Sequence, residues 1–538
     1  MNQHNISLLD LPNEILLMIF KKLDNMYVLS SLLLVNNRRL DALIQENNFS
    51  SILNFILPTS LNHTHAPVIP SVDQFCTSIL RRINHKVKTL IVGSFSMKDI
   101  LYAARYPNLT EVKLFNVDSL TISLYFTDNK RLLYTVPRQI TDLILVFKNK
   151  SYKASLKDYT ADLYACILKY CENLKHLSII GSYPHYYPPL VLSNVPLTTF
   201  FSSTLNKLCI RVRHFEDCLA LLDGRLKQLT TLIIFIENME YDSLNVYNMD
   251  DLPNLKCLSL TTPFCLTNTY DTQFLPLFHR MLNLEELTLY ITIKNRTTFI
   301  DGTHIYNEIL VHMPRLHMFN FCISTDTTLD HLVDHLSKND IQQTLNNIKY
   351  QEMNCIVNYG YSTAICYVFS LPFMFDDLTY IGNTYPSIVF NNVKRLTVKD
   401  EISFKHEFFK GIALSFPLLE ELCVINIKPQ SLISDKWNSN DNQWYSIIKF
   451  PYLISLRLVT VHTDYIDQFL NERKTHLPCL TELTVNYNNL LIVTEHFTRD
   501  ATWLNCMKIK KLHVGETIEH TKHLHVYFPL LELCFFSY

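Results

Sequence analysis

The densest group of side chains able to bind a metal is Asp330-His331-Leu332-Val333-Asp334-His335. On a helix the two histidines, four residues apart, share a face with the two aspartates, a spacing that can hold zinc. The glutamate that an HExxH metalloprotease uses as general base is missing, and an exposed amphipathic helix gives the same pattern. His520, His523 and His525, in HTKHLH, fall between two apolar segments, where a polar loop is expected. With 21 histidines in the chain, spacing alone singles out no Ser/His/Asp or Cys/His set. Neither GxGxxG, GxxxxGK[ST] nor GxSxG occurs, and only 8 glycines are present, which argues against glycine-rich phosphate loops. No catalytic residue, metal or cofactor is expected. The insertion Asp435 to Trp444 (DKWNSNDNQW) holds two of the three tryptophans. It reads either as a recognition loop, since exposed aromatics anchor interfaces, or as a solvated loop whose tryptophans pack on a neighbouring segment.

A better basis for a site is the element that recurs along the chain. From about residue 85 an irregular L-x-x-L-x-L unit repeats, with Val, Ile or Phe substituting. Copies include VKTLIV (Val87 to Val92), LTEVKL (Leu109 to Leu114), ITDLIL (Ile140 to Leu145) and LEELTL (Leu284 to Leu289), then VKRLTV (Val393 to Val398), LISLRL (Leu453 to Leu458) and IKKLHV (Ile509 to Val514). The middle apolar residues Val112, Leu143, Leu177, Leu208, Leu232, Leu258, Leu287 and Phe319 follow at steps of 31, 34, 31, 24, 26, 29 and 32 residues. Such steps fit a strand, a helix and two turns. The gap from Phe319 to Leu396 is 77 residues, and weaker copies at LNNIKY (Leu345 to Tyr350) and FDDLTY (Phe375 to Tyr380) would fill it. Proline stands two positions before the first apolar residue in six copies (Pro107, Pro253, Pro314, Pro417, Pro451 and Pro478), where it ends a helix and sets the chain extended. Between copies, Ile305, Ile309 and Met313, or Phe408, Ile412 and Phe416, carry helical spacing. Alternation along a strand turns the residue between the last two apolar positions outward. Those residues are Lys113, Ser178, Cys209, Ser259, Thr288, Thr397, Cys423, Arg457, Thr484 and His513. Thr288, Thr397, Arg457, Thr484 and His513 are the candidates for binding a protein target.

The N-terminal stretch has different chemistry. Pro12 suits a first helical turn, Glu14 favours the positive end of the helix dipole, and Ile15, Met18, Ile19 and Leu23 form an apolar stripe widened by Leu16, Leu17 and Phe20. Apolar runs at Val28 to Val35 and Leu40 to Ile44 predict two more short helices. The pattern Leu8-x-x-Leu11-Pro12-x-Glu14, then Ile15, Ile19 and Phe20, then Leu23-Asp24, then Leu32 and Val35, resembles the F-box, over roughly residues 6 to 46. The family often continues after the valine with Cys-x-x and an aromatic; here Asn36-Asn37-Arg38-Arg39-Leu40 follows. The resemblance implies three helices that bind a Skp-type adaptor, and through it a cullin–RING ubiquitin ligase, with Leu8, Leu11, Pro12, Glu14, Ile15, Ile19 and Leu23 at the adaptor. The repeats behind it resemble the leucine-rich repeats that follow many F-boxes, without a regular asparagine after the strand.

The expected fold is therefore α/β: an F-box over 1–50, a linker and connecting helix over 51–84, and an irregular leucine-rich-repeat solenoid over 85–538, with a parallel sheet inside and helices outside. An α/β barrel would hold eight units in about 250 residues, and this chain has too many. At 538 residues with 48% hydrophobics, a stacked array is the way to a continuous core. A net charge of −2 without a basic block gives no nucleic-acid footprint. There is no signal-peptide pattern and no apolar run near the roughly 18 residues of a membrane span. Fourteen scattered cysteines without CxxC fit a reducing cytosol or nucleus. The function expected is a non-catalytic subunit of a Skp–cullin–F-box ligase that binds an unidentified protein target. A leucine-rich-repeat scaffold or inhibitor with a helical cap is the alternative.

Overall fold

A computed structural model of the chain describes residues 8–33, 35, 37–46, 49–56, 72–117, 138–147, 164–181, 189–192, 195–196, 198–238, 252–332, 336–348, 350–385, 387–430, 446–514 and 522–536. The linker candidate 58–71 and the tryptophan insertion 435–444 lie outside them. The chain divides into two compact units, Met1–Thr288 with His312–Met318, and Leu289–Val311 with Phe319–Tyr538.

The first unit opens with three helices, α1 (Asn13–Phe20), α2 (Asn25–Leu32) and α3 (Arg38–Glu46). Asp24 caps α2 by accepting from the Met26 amide at 2.8 Å, and Asn37 Oδ1 accepts from the amides of Arg39 and Leu40 at the start of α3. Parallel strands follow: β1 (Ile52–Asn54), β2 (Thr89–Gly93), β3 (Glu111–Val117), β4 (Asp142–Phe147), β5 (His176–Gly181), β6 (Lys207–His214), β7 (Thr231–Asn238) and β8 (Cys257–Leu266). They lie side by side in chain order. β1 comes from the stretch read as linker, and the helix expected after it is present as Val72–Phe75, Cys76–Leu80 and Arg81–Ile83.

Register across this sheet is set by the repeat. Leu53, Leu90, Val112, Leu143, Leu177, Leu208, Leu232 and Leu258 are aligned partners on successive strands, and all are buried. Burying one such side chain is worth about 1.5–3 kcal/mol. One carbonyl at the head of each strand accepts two amides from the next. Thr110 and Glu111 both donate to Lys88 O at 2.9 Å, and Thr141 and Asp142 donate to Thr110 O at 2.9 and 3.0 Å. The asparagine ladder that is irregular after the strands exists before them. Asn108, Asn173, Asn254 and Asn283 donate from Nδ2 to His85, Arg138, Lys227 and Pro253 carbonyls at 2.6, 2.6, 2.9 and 3.0 Å.

The division between units falls within β9 (Glu286–Lys294). In the second unit β10 (Met318–Thr328), β11 (Met353–Tyr359) and β12 (Thr363–Ser370) depart from the expected array, because β12 runs antiparallel to both β10 and β11. The weak copy at Leu345 to Tyr350 is not a strand. A capping box between Ser337 and Asp340 starts a helix at Lys338–Asn346, whose Ile341 and Leu345, four apart, are buried. The parallel order resumes in a seven-stranded sheet of β13 (Asp377–Ile381), β14 (Arg395–Lys399), β15 (Glu421–Ile425), β17 (Ser455–Leu458), β19 (Glu482–Val485), β20 (Lys511–Val514) and β21 (Leu533–Phe536). The short strands β16 (Ile448–Lys449) and β18 (Thr475–His476) pair separately. Leu378, Leu396, Leu422, Leu456, Leu483 and Leu512 are again aligned and buried. Lys394 and Arg395 donate together to Asp376 O at 2.8 and 2.9 Å. Both sheets are thus parallel through their repeat strands, and the protein is α/β.

Among the described residues helices join β14 to β15, β17 to β19, β19 to β20 and β20 to β21, and on one of them a glycine faces a close neighbour. On helix His406–Ser415 a Cβ at Gly411 would run into the Tyr385 hydroxyl. Because the obstructing atom is the far end of a half-buried side chain that can shift, Gly411→Ala is expected to destabilise the protein by no more than about 1 kcal/mol. Tyr385→Phe removes the obstructing oxygen and should return part of that loss. Urea midpoints of the two single variants and the double variant check this, and strict additivity would contradict it.

Candidate functional site

The N-terminal helices divide their apolar residues between a core and an outer surface. Leu16, Phe20, Met26, Leu29, Leu33, Leu40 and Ile44 are buried. Ile15 and Ile19, on the same helix as Leu16 and Phe20, are 42% and 38% exposed, and Met18 is 66% exposed. Leu8 and Leu23 are also exposed, as are Pro12 and Glu14, while Leu11 is half-buried. Leu8–Asp10 forms a single tight turn with no buried residue, and Leu11 and Pro12 carry the chain from it into α1. The seven residues expected at an adaptor therefore lie together on one short segment, five of them apolar or proline side chains open to solvent.

One arginine holds this segment and a second anchors the helices behind it, and neither was picked out from the sequence. Arg39 donates from Nε to Asn13 Oδ1 at 2.7 Å and from its two terminal nitrogens to the Leu9 and Leu11 carbonyls at 2.6 Å each. Arg82 donates to the Leu33 carbonyl at 2.8 Å and pairs with Asp41 at 2.7 Å, which ties α3 to the helical run that precedes β2. Phe20 and Phe49 meet edge to face at 6.4 Å.

The outward residues of the second sheet form rows. Thr397, Cys423, Arg457, Thr484 and His513 are consecutive lateral neighbours on β14, β15, β17, β19 and β20. Arg457 is exposed and the others are half-buried. The expected set is therefore contiguous within the second unit, whereas Thr288, half-buried on β9, belongs to the first. A second row, two residues earlier on each strand, was missed: Arg395, Glu421, Ser455, Glu482 and Lys511 are likewise aligned. Extending the two-residue alternation one step toward the start of each copy would have found it.

This row is heavily charged. Arg395 forms a forked pair with Asp376 at 3.0 and 3.1 Å and approaches Asp377 at 3.6 Å, and Lys511 pairs with Glu482. Burial pushes the Asp377 carboxyl up to about 6, with Asp376 and Glu421 adding to the rise against the pull of Arg395. Burial also raises Glu421, with Glu482 and Glu420 adding to it and Arg395 and Arg457 opposing. The His513 imidazole is lowered by burial and by the neighbouring Lys511 and Arg457, with Glu482 opposing. In the first unit the row matching Arg395 to Lys511 is Thr89, Glu111, Asp142, His176, Lys207, Thr231 and Cys257, also rich in charge, and the row matching Thr397 to His513 is Ile91, Lys113, Ile144, Ser178, Cys209, Ile233 and Ser259. Small polar side chains do not dominate there, since isoleucines alternate with them.

The metal-competent stretch is not a continuous helix. Leu329–His331 is one tight turn, and Leu332 leaves it extended at φ −79 and ψ 116. Asp334 and His335 lie outside the described residues. His523 and His525 sit on a helix, Lys522–Tyr527, rather than a loop. Leu524, Tyr527 and Phe528 supply its buried face, and His520 lies outside the described residues. Among the described residues no group of three or more His, Cys, Asp or Glu side chains is arranged to hold a metal, and no helix is long and apolar enough to cross a membrane.

No protein-family model matches the sequence, and no curated protein is similar enough to it to count as a match.

The raised Asp377 carboxyl gives the second unit a measurable pH dependence. Between its ordinary value of 3.8 and about 6 the folded protein keeps a proton that the unfolded chain has lost, so this group's contribution to stability falls as pH rises through that window. Asp377→Asn cannot ionise. The stability of the parent minus that of the variant should therefore decline from about pH 4 to about pH 6 in parallel denaturant titrations. A constant difference would show that the carboxyl is not held up by burial.

Proposed function

We propose that this chain is the target-binding subunit of a Skp–cullin–F-box ubiquitin ligase, with residues 1–50 as its F-box and the repeat strands as an irregular leucine-rich-repeat solenoid. Leu8, Leu11, Pro12, Glu14, Ile15, Ile19 and Leu23 dock on the Skp-type adaptor, and the outward rows of the sheets receive a protein target. Ubiquitin transfer takes place on other subunits, so the chain itself needs no catalytic group. The observation that carries this reading is the division of α1. Leu16 and Phe20 hold the core while Ile15, Met18, Ile19, Leu8 and Leu23 leave a cluster of large apolar side chains open to solvent, an arrangement that marks an interaction site. Six of the seven residues the F-box pattern assigns to the adaptor are exposed, and Leu11 is half-buried. The charged and polar row from Arg395 to Lys511 suits a protein surface better than a small apolar ligand. The cysteines from Cys76 to Cys506 are free thiols, in keeping with a cytoplasmic or nuclear protein.

The test is co-purification of the intact chain with a Skp-type adaptor, set against Ile15→Glu/Ile19→Glu. Both positions are exposed, so the thermal midpoint should stay within about 2 °C. Placing two carboxylates in the middle of an apolar interface should weaken binding by more than about thirtyfold. Deleting residues 1–50 is a poorer control, because it also removes Asp41 and Leu33, the partners of Arg82. If the intact chain does not bind the adaptor, the ligase reading falls, and a repeat scaffold or inhibitor with a helical cap takes its place.

A further inference from the structure

The segment Asn36 to Leu40 follows the F-box pattern least closely, yet it carries the side chain that shapes the docking turn. Leu8–Asp10 has no buried residue to fix it. Pro12, at the cap position of α1, makes no side-chain capping bond, and proline has no N–H to offer the turn. The Leu9 and Leu11 carbonyls, which precede the helix at the exposed surface, can be held in place from elsewhere in the chain. Arg39 does this with two terminal nitrogens at 2.6 Å each and places Nε on Asn13 Oδ1 at 2.7 Å. The guanidinium thus spans the turn from Leu9 to the first residue of α1. Its own backbone is fixed because Asn37 Oδ1 accepts from the Arg39 and Leu40 amides at 2.9 and 3.2 Å, and Leu40 is buried beside them. A planar fork of fixed donors reaches three separated acceptors at once, which a lysine ammonium on a flexible stem does not.

We infer that Arg39 is the positioning residue of the docking turn: it holds Leu8, Leu11 and Pro12 in the arrangement the partner meets and acts through them rather than by touching the partner. This rests on the adaptor reading above. Without the clamp, the turn samples other conformations and binding carries the cost of ordering it.

The test uses the full chain and a Skp-type adaptor as probe. Arg39→Ala is expected to weaken binding about tenfold, the scale of one charge-assisted hydrogen-bonding group lost, with an unchanged salt dependence. Arg39→Lys should be as weak as Arg39→Ala. In a Leu8→Ala/Leu11→Ala background, Arg39→Ala should change affinity by less than about twofold, because the side chains it positions are gone. Unchanged affinity in Arg39→Ala overturns the inference. So does an additive loss that lysine restores and salt weakens, since that is the signature of a direct charge contact. If the intact chain binds no adaptor, the ligase reading fails, and amide exchange of the peptide spanning residues 8–17 decides the clamp. Faster exchange there in Arg39→Ala, with α2 unchanged, supports it, and identical exchange overturns it.

Discussion

A single carbonyl at the head of each repeat strand accepts two consecutive amides from the strand that follows, and much of the architecture depends on that arrangement. Thr110 and Glu111 on Lys88 O, or Lys394 and Arg395 on Asp376 O, are instances in the two units. Because the doubly bonded carbonyl always sits two residues before the middle apolar position, it fixes which residue faces which. A slip of one residue would turn every inward leucine to solvent. The buried rows from Leu53 to Leu258 and from Leu378 to Leu512 are the result. Net gains per hydrogen bond are modest, about 0.5–1.5 kcal/mol, so the strength of the device lies in its repetition and in the apolar side chains it aligns.

This constraint leaves the connections free. Steps between copies range from 24 to 34 residues, and the structure absorbs the variation in helices, tight turns and strand ends while the strand heads stay in register. The same tolerance admits the antiparallel hairpin of β11 and β12, which needs no crossover and so fits where a strand–helix unit would not. Side chains before the strands reinforce the stacking. The asparagines at 108, 173, 254 and 283 reach back to the preceding copy, and Asn392 does the same in the second unit at 2.9 Å.

The open faces of the two sheets share a charged row and differ in the row beside it, although the same repeat produces them. The first unit carries Glu111, Asp142, His176 and Lys207 in the row where the second carries Arg395, Glu421, Glu482 and Lys511, but Ile91, Ile144 and Ile233 occur in the row where the second has Thr397, Cys423, Arg457, Thr484 and His513. Burial on this surface raises the Asp377 and Glu421 carboxyls, with neighbouring carboxylates adding to it and Arg395 opposing. The N-terminal helices make the opposite use of composition. Their core takes one side of α1, and the remaining apolar side chains are left outside. A unit of about forty residues has little interior to offer them.

The strands were legible in the sequence because L-x-x-L-x-L is a local statement: alternation decides which side chains of one strand go inward, with no knowledge of its neighbours. The helical stripe of Phe408 and Ile412 was legible for the same reason, whereas of Ile305, Ile309 and Met313 only Ile305 lies on the helix Gly302–Glu308, although all three are buried. The hairpin at 353–370 was missed because LNNIKY imitates the repeat, while the capping box at Ser337 and Asp340, which starts the helix running into it, acts from several residues away. The second outward row, from Arg395 to Lys511, needed only one more step of the alternation, but its pairing needed the register. Arg39 carried no sequence signal at all. Its acceptors Leu9 and Leu11 are 30 and 28 residues away along the chain. Periodicity reports which way a side chain points and is silent on what stands opposite it, and that only the folded chain decides.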